Sequence, residues 1–244
     1  ISDDKWLTQK FLQENDLPNI PSALPEDADT LIEKENFPLI IKPRIGDGSK
    51  NTFIVHNREE LYEKIKIFAD AEGKEDAAPY EINPVIQKYM GQEDEEFTST
   101  TFVFDNKSYG AISMNREMRF PGHTTKAKIL DFPLINDHIM KVAEKLNPLG
   151  PCNFQSRVVG GVPYIFEINC RFSGTTATCT LAGFNHVEEC LRKIVLDEDP
   201  RIQIPKNGTM LRYFNEVFVP NEDIERIKRE RHLTNPQSEI NDDL

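Results

Sequence analysis

Asn153-Phe154-Gln155, then Gly160-Gly161 at a turn, then Phe166-Glu167-Ile168-Asn169-Cys170-Arg171: this run decides how the chain is read. In an extended strand every second side chain points the same way, so Glu167, Asn169 and Arg171 share one face while Phe166, Ile168 and Cys170 pack behind them. A carboxylate, an amide oxygen and a guanidinium then line one wall. Oxygen ligands of this kind suit a hard cation such as Mg2+, which keeps several waters and reaches the protein through one or two carboxylates while holding phosphates. Any half-solvated antiparallel strand shows the same alternation, so the rest of the chain has to supply the company that such a wall needs.

Register sharpens the reading. Paired positions in an antiparallel hairpin sum to a constant, and a one-residue slip sends a side chain to the other face. A two-residue Gly160-Gly161 turn would pair Gln155 with Phe166 and turn Glu167 away. For Gln155 and Glu167 to face one metal, the sequence demands a three- or five-residue turn with a glycine near the left-handed region, or a bulge that restores the parity.

At 244 residues the chain is long enough for one large domain or two small lobes. Apolar residues at 38% and aromatics at 9% can pack a core, while 29% charged residues and a net charge of -12 leave an acidic surface. That field repels nucleic-acid backbones and anionic membranes, so neither is an expected partner. The one basic run, Arg226 to Arg231, reads as a solvated helix face. No apolar run approaches the roughly 18 residues of a membrane span, and Ile1-Ser2-Asp3-Asp4 is no signal peptide, which points to the cytoplasm. Cys152, Cys170, Cys179 and Cys190 lack C-x-x-C spacing and read as reduced, buried thiols rather than zinc ligands or a disulfide framework.

Ser2-Asp3 can cap a helix with Trp6, Leu7, Phe11 and Leu12 on its inner side, ending near Asn15. Phe37 to Pro43 reads as a buried strand with Asn51 to His56 as its antiparallel neighbour, and Asn57 with Glu60 forms a capping box for a helix carrying Leu61, Ile65 and Phe68. Pro84 to Met90 is a further strand. Phe97 to Phe104 and Ser108 to Met114 form a hairpin about Asp105-Asn106-Lys107. Asn115 to Lys128 has loop composition, Ile135 to Leu146 marks an amphipathic helix, and Asn185 caps another with Val187, Leu191, Ile194 and Val195. Met210 to Val219 is a late strand, followed by a polar helix and a frayed tail.

Lys42 closes an apolar strand, and a buried strand rarely ends in a charge without a partner. In the loop after it, Gly46 and Gly48 let backbone N–H groups approach an anion, and Ser49 and Lys50 add donors, so the loop can cover a polyphosphate that Lys42 neutralises. An ordinary hairpin turn accounts for the same glycines, and the G-x-x-x-x-G-K-[ST] phosphate loop is absent. Gln87-Lys88-Tyr89-Met90 would offer backbone groups to an adenine edge, with Tyr89 and Met90 flat against the ring. Glu96 could accept from ribose hydroxyls, or the segment is an acidic linker between lobes.

In this order (a strand-ending lysine with a Gly-Ser loop, an interlobe segment with glycine and glutamate, Asn-x-Gln, Glu-x-Asn-x-Arg) the elements resemble the ATP-grasp superfamily, most closely its carbamoyl-phosphate-synthetase-like, carboxylate-amine ligase branch. The resemblance runs from Asp3-Asp4-Lys5 to Ala182-Gly183-Phe184-Asn185. It implies an α+β fold in which two lobes with antiparallel sheets grip ATP between them. The lobes would be residues 36–87, with a glycine-rich lid loop, and 88–234, with the metal site, after an entry helix and connector over 1–35 and before a polar tail at 235–244.

By the same resemblance Lys42 meets the phosphates with Lys5 as a second candidate, and Gly46, Gly48 and Ser49 belong to the lid. Gln87, Lys88, Tyr89 and Met90 meet adenine, and Glu96 the ribose, with Glu93 or Glu95 as alternatives. Gln155, Glu167 and Asn169 hold Mg2+ or Mn2+, and Arg171 steadies the transferring phosphoryl group. Arg116, Arg119 and His123 either hold the acceptor carboxylate or are ordinary loop charges. Two departures stand out: Gln155 offers a neutral amide, and Cys170 replaces the usual proline. The implied activity is an ADP-forming ligase that activates a carboxylate as an acyl phosphate for attack by an amine. Relatives generally carry a Rossmann-like domain ahead of this part, so an N-terminal domain or partner chain is an expected companion. The alternative is a nucleotide-binding subunit, or half of a split carbamoyl-phosphate-synthetase-like enzyme, inactive alone.

Overall fold

In the computed structural model, which describes residues 1–46, 50–71, 83–91, 96–117, 124–203, 205–213 and 218–230, helix α1 spans Lys5–Glu14 and is capped by Asp4, whose carboxylate accepts from the N–H groups of Trp6 and Leu7. The cap is therefore Asp4, not Ser2-Asp3. Leu7, expected inside, is exposed, and Lys5, Thr8 and Gln9 take buried positions beside Phe11 and Leu12. The reason is that α1 docks through polar contacts as well as apolar ones. Gln9 Nε2 donates to the Ile165 carbonyl at 2.7 Å, and Gln9 Oε1 accepts from the Ile20 N–H at 2.7 Å.

A four-stranded antiparallel sheet runs in the order β1 (Ser22–Ala23), β4 (Pro84–Lys88), β2 (Leu39–Pro43), β3 (Phe53–Val55). Helices α2 (Ala28–Glu35) and α3 (Arg58–Ala71) close its core, which contains Leu31, Leu39, Ile41, Leu61, Phe68 and Ile86. Asn57 caps α3 by accepting from the Glu60 N–H at 2.9 Å, and Glu60 reaches back to the His56 N–H at 2.8 Å. Strand alternation places Lys42 and Gln87 on the face opposite Leu39, Ile41 and Ile86.

The second sheet has six antiparallel strands in the order β10 (Gly208–Leu211), β7 (Lys126–Ile129), β6 (Lys107–Glu117), β5 (Glu96–Phe104), β8 (Gly150–Val159), β9 (Val162–Asn169). Asp105 and Asn106, both with positive φ, make a two-residue β5–β6 turn. One core, with Phe97, Phe154, Ile165 and Ile168, packs against α1 and α4 (Pro133–Leu146). A second, with Phe102, Ile112, Met114 and Phe184, is closed by α5 (Thr176–Leu181) and α6 (His186–Leu191).

Three expectations are corrected here. Asn115 to Glu117 continue β6 and Lys126 to Ile129 form β7, although composition reads as loop from Asn115 to Lys128; pairing between these strands supplies the backbone partners that polar side chains hide. Leu191, Ile194 and Val195 are exposed, because the chain passes after Leu191 into a turn of π-helix over Arg192–Leu196 that breaks the 3.6-residue period; His186 and Cys190 face inward instead. The late strand ends at Leu211, with Arg212 and Tyr213 outside it.

The hairpin parity is resolved by a bulge. Gly160 and Gly161, at φ 58° and 81°, form a two-residue turn between Val159 and Val162. The ladder runs regularly to Ser156 with Ile165, then shifts, so that Gln155 opposes Glu167 and Asn153 opposes Asn169. Phe166 is the extra residue. Ile165 and Ile168 both enter the core, and Phe166 stands on the side of Glu167 instead of packing behind it.

These elements belong to a compact unit, Ile1–Arg212; Tyr213–Leu244 form another, containing α7 (Asn221–Glu230). Among the described residues no helix is long and apolar enough to cross a membrane. Residues 235–244 lie outside the described residues.

Gln9→Ala would strand a buried carbonyl at Ile165 and a buried N–H at Ile20. The expected loss is about 2–4 kcal/mol of unfolding free energy, measured by urea denaturation.

Candidate active site

On one face of the large sheet, cross-strand partners build a polar patch row by row. Glu96 on β5 pairs with Arg157 on β8, Thr98 with Gln155, and Thr100 with Asn153; β9 adds Glu167 and Asn169 opposite Gln155 and Asn153. The last β6 pair, Phe97 with Asn115, sets Arg116 beside Glu96. Glu96 Oε1 accepts from both Nε and Nη2 of Arg116, and Oε2 accepts from Arg157 Nη2 at 3.0 Å. Arg116 Nη2 also donates to Gln155 Oε1 at 2.9 Å.

The wall is held by amides. Asn169 Nδ2 donates to Glu167 Oε1 at 2.8 Å and Gln155 Nε2 reaches the same oxygen at 3.4 Å, while Asn169 Oδ1 accepts from Arg171 Nη2 at 3.3 Å. Gln155, Glu167, Asn169 and Arg171 thus come together as the sequence expected. Asn153 does not join them: its amide donates to Thr98 Oγ1, the Ser99 carbonyl and Thr100 Oγ1, which ties β8 to β5. Among the described residues no group of three His, Cys, Asp or Glu side chains could hold a metal. One carboxylate with two amides fits a hard cation that keeps water and phosphate oxygens, provided the amides turn their oxygens toward it.

Lys42 reaches this wall from the small sheet, its Nζ 5.3 Å from the centre of the Phe166 ring. Burial above all, and then the Lys5 ammonium, bring its pKa down to about 7, against the attraction of Glu167. Lys5 Nζ donates to the Gly46 carbonyl at 2.9 Å, and Gly46 takes φ 140°. Arg44, two residues beyond Lys42 and just past the end of β2, donates to both oxygens of Asp4 at 3.2 and 2.6 Å. Burial opposes ionisation of Asp4, but the Arg44 bonds and charge and the Leu7 and Trp6 N–H groups outweigh it and hold its carboxyl below the ordinary range. The start of α1 is thereby fastened to the end of β2.

The remaining expected residues fall in several places. The Gln87 side chain is buried, its Nε2 donating to Ser22 Oγ at 2.9 Å and its Oε1 lacking a partner among the described residues. Lys88 Nζ turns to the Glu35 and Asn36 carbonyls at 3.0 and 3.2 Å, at the end of α2, so its ammonium serves the helix terminus. The N–H groups of Lys88 and Tyr89 go to Pro21 and Pro38. Tyr89 lies 5.8 Å from the Arg157 guanidinium, which also donates to the Gly91 carbonyl at 2.8 Å. Arg116 stands in a strand rather than a loop, and only 8% exposed. Gly48, Ser49, Glu93, Glu95, Arg119 and His123 lie outside the described residues. Arg157 was missed, although its position two residues beyond Gln155 on the same strand put it on the same face. Cys170, expected to be buried, is exposed, 3.7 Å from the buried Cys152 sulphur.

A family model for the ATP-grasp domain matches residues 2–175. The D-alanine–D-alanine ligase of Bacillus anthracis is 25% identical over 150 residues, 57% of this chain and 45% of that protein. The carbamoyl phosphate synthase large chain of Saccharolobus islandicus is 23% identical over 181 residues, 72% of this chain and 17% of that one. The chain therefore spans less than half the length of these relatives. Among solved structures, the biotin carboxylase domain of Hydrogenobacter thermophilus 2-oxoglutarate carboxylase, in complex with MgADP, ADP and bicarbonate, superposes with a TM-score of 0.65 at 17% identity, over 85% of this chain and 49% of that one. Staphylococcus aureus N5-carboxyaminoimidazole synthetase complexed with ADP gives 0.61 at 18% identity, over 86% and 54%. At these identities the likeness is one of fold.

Glu96→Gln removes the carboxylate that the buried Arg116 shares with Arg157. Breaking a buried ion pair from one side leaves the other charge uncompensated, so the variant is expected to lose about 3–5 kcal/mol in guanidinium-chloride unfolding.

Proposed function

Because the chain belongs to the ATP-grasp domain family, we propose that it is the nucleotide-binding part of an ATP-dependent, ADP-forming ligase that activates a carboxylate as an acyl phosphate for attack by an amine. The observation that carries the reading is the meeting of Lys42 from one sheet with Phe166 and Glu167 of the other, beside Gln155, Asn169 and Arg171. An ammonium, a carboxylate, two amides and a guanidinium at one junction suit a polyphosphate with its counter-ion. Residues 36–87 and 88–234 are the two lobes in this proposal, the part of the second from Tyr213 onward belonging to the separate C-terminal unit.

Lys42 and Lys5 neutralise the phosphates, and the loop from Gly46 through Gly48 and Ser49 covers them. Gln87 Oε1, buried without a partner among the described residues, is an acceptor suited to the exocyclic amine of adenine. Since Lys88 and Tyr89 spend their N–H groups within the protein, a hinge donor to the ring falls to Met90, with Tyr89 packing against it. The buried Glu96 is assigned to holding Arg116 and Arg157, and the ribose role passes to Glu93 or Glu95. Gln155, Glu167 and Asn169 would hold Mg2+, or Mn2+, which when bound draws the phosphate oxygens together and neutralises developing charge.

A carboxylate oxygen attacks the γ-phosphorus as the bond to the bridging oxygen breaks, giving the acyl phosphate and ADP. The amine then attacks the acyl carbon and phosphate departs with the C–O bond. Arg171, held by Asn169, offers a planar donor fork to the moving phosphoryl group. Arg119 and His123 are proposed to steady the acceptor carboxylate; Arg116 acts on the site through Gln155.

With a matched carboxylate and amine, ADP release that requires Mg2+ is expected. Arg171→Ala should lower kcat about 10^2–10^3-fold with ATP binding largely kept. ATP binding without turnover for any acceptor pool, with an N-terminal domain supplied, would instead favour a nucleotide-binding subunit. Nucleotide affinity should also depend on pH. The Lys42 pKa is about 7 in the free protein, and bound phosphate raises it. Affinity on account of Lys42 should be flat below that pH, fall by up to about tenfold per unit between it and the raised pKa of the complex, and level off above, with Lys42→Met flattening the profile in fluorescence titrations.

A further inference from the structure

We propose that Cys152 and Cys170 form a thiol–disulfide modification site that takes a peroxide as oxidant and, on closing, displaces the Asn169–Arg171 end of the wall. Their sulphurs lie 3.7 Å apart. The last ladder pair of β8 and β9 is Asn153 with Asn169, so the two cysteines come next in opposition across the strands. Directly opposed side chains lie within or close to the Cβ separation that a disulfide spans. Cys170 is exposed to an oxidant, and Cys152 stands behind it in the core with no exposed surface. Cys179 and Cys190 are buried as well and serve as internal comparisons.

The Cys170 sulphur attacks one peroxide oxygen, the O–O bond breaks, and the other oxygen leaves as water with the thiol proton, giving a sulfenic acid. The Cys152 sulphur then attacks the sulfenic sulphur; the S–S bond forms as the S–O bond breaks, and the hydroxyl leaves as water with the Cys152 proton. Two thiols are oxidised and one peroxide is reduced to two waters.

To bond, the sulphurs must close from 3.7 Å to about 2 Å. Cys152 is held by a close-packed core, whereas Cys170 lies past the end of the ladder, so the movement falls on Cys170 and its neighbours. Asn169 and Arg171 flank it directly. Asn169 is the residue that holds both the Glu167 carboxylate and the Arg171 guanidinium, so a shift there reaches two groups of the wall.

The test treats the native chain with hydrogen peroxide, alkylates the remaining thiols and maps the peptides. A reducible Cys152–Cys170 cross-link, lighter by two hydrogen atoms and formed before Cys179 or Cys190 reacts, is expected. Cys170→Ser should abolish it, and Cys190→Ser should not. Oxidation of Cys170 to sulfinic acid without a bond to Cys152 would overturn the site. The displacement is read separately by hydrogen exchange: amides of residues 167–172 should exchange on the order of tenfold faster in the oxidised protein, and an unchanged rate would refute it. The expected consequence for Mg-ATP affinity, a drop on the order of tenfold, rests on the proposed function. Failure of the reduced chain to bind nucleotide would count against that function alone, since the cross-link and the exchange rates are measured without nucleotide.

Discussion

One extra residue in a strand sets the geometry of this protein. Gly160-Gly161 makes the shortest hairpin turn, and that turn alone would send Glu167 to the face opposite Gln155. Bulging at Phe166 lets Ile165 and Ile168 both enter the core while Phe166 and Glu167 both face outward. The apolar pair anchors the strand and the polar pair is left where Lys42 arrives. The wall, the aromatic surface below Lys42 and the placing of Asn169 all follow from this single irregularity.

Among the described residues, one buried carboxylate serves two guanidiniums beside that wall. Glu96 is shared between Arg116 and Arg157, and Arg157 also fastens the Gly91 carbonyl and lies near the Tyr89 ring. The segment joining the two sheets is thus tied to the same buried carboxylate that positions Arg116 against Gln155. Lys42, buried near Lys5, keeps its proton weakly. Helix α1 adds the mechanical link, with Asp4 on Arg44 at one end and Gln9 on Ile165 at the other.

Legibility varied with the physical signal. Glu167, Asn169 and Arg171 could be read from period-two spacing, and the parity argument named the bulge among its solutions. The capping box of Asn57 and Glu60 was legible because its partners are three residues apart. Glu96 was harder: a carboxylate at a strand start looks the same whether it meets a ribose or two guanidiniums, and the deciding partners lie 20 and 61 residues away. Arg116 reads as a loop residue because polar neighbours hide the end of a strand whose pairing with β7 exists only in three dimensions. Leu191, Ile194 and Val195 keep a helical period in the sequence that the π turn over Arg192–Leu196 breaks in the fold.

The sequence by itself determined the α+β class, the pairing of neighbouring strands and the composition of the wall, since these depend on local spacing and on the order of motifs. Tertiary structure decided which of two hairpin solutions was used, which carboxylate was spent on the fold, and which sulphurs meet. Those outcomes depend on competition for the same core volume and the same hydrogen-bond partners, and that competition is settled only when distant segments are brought together.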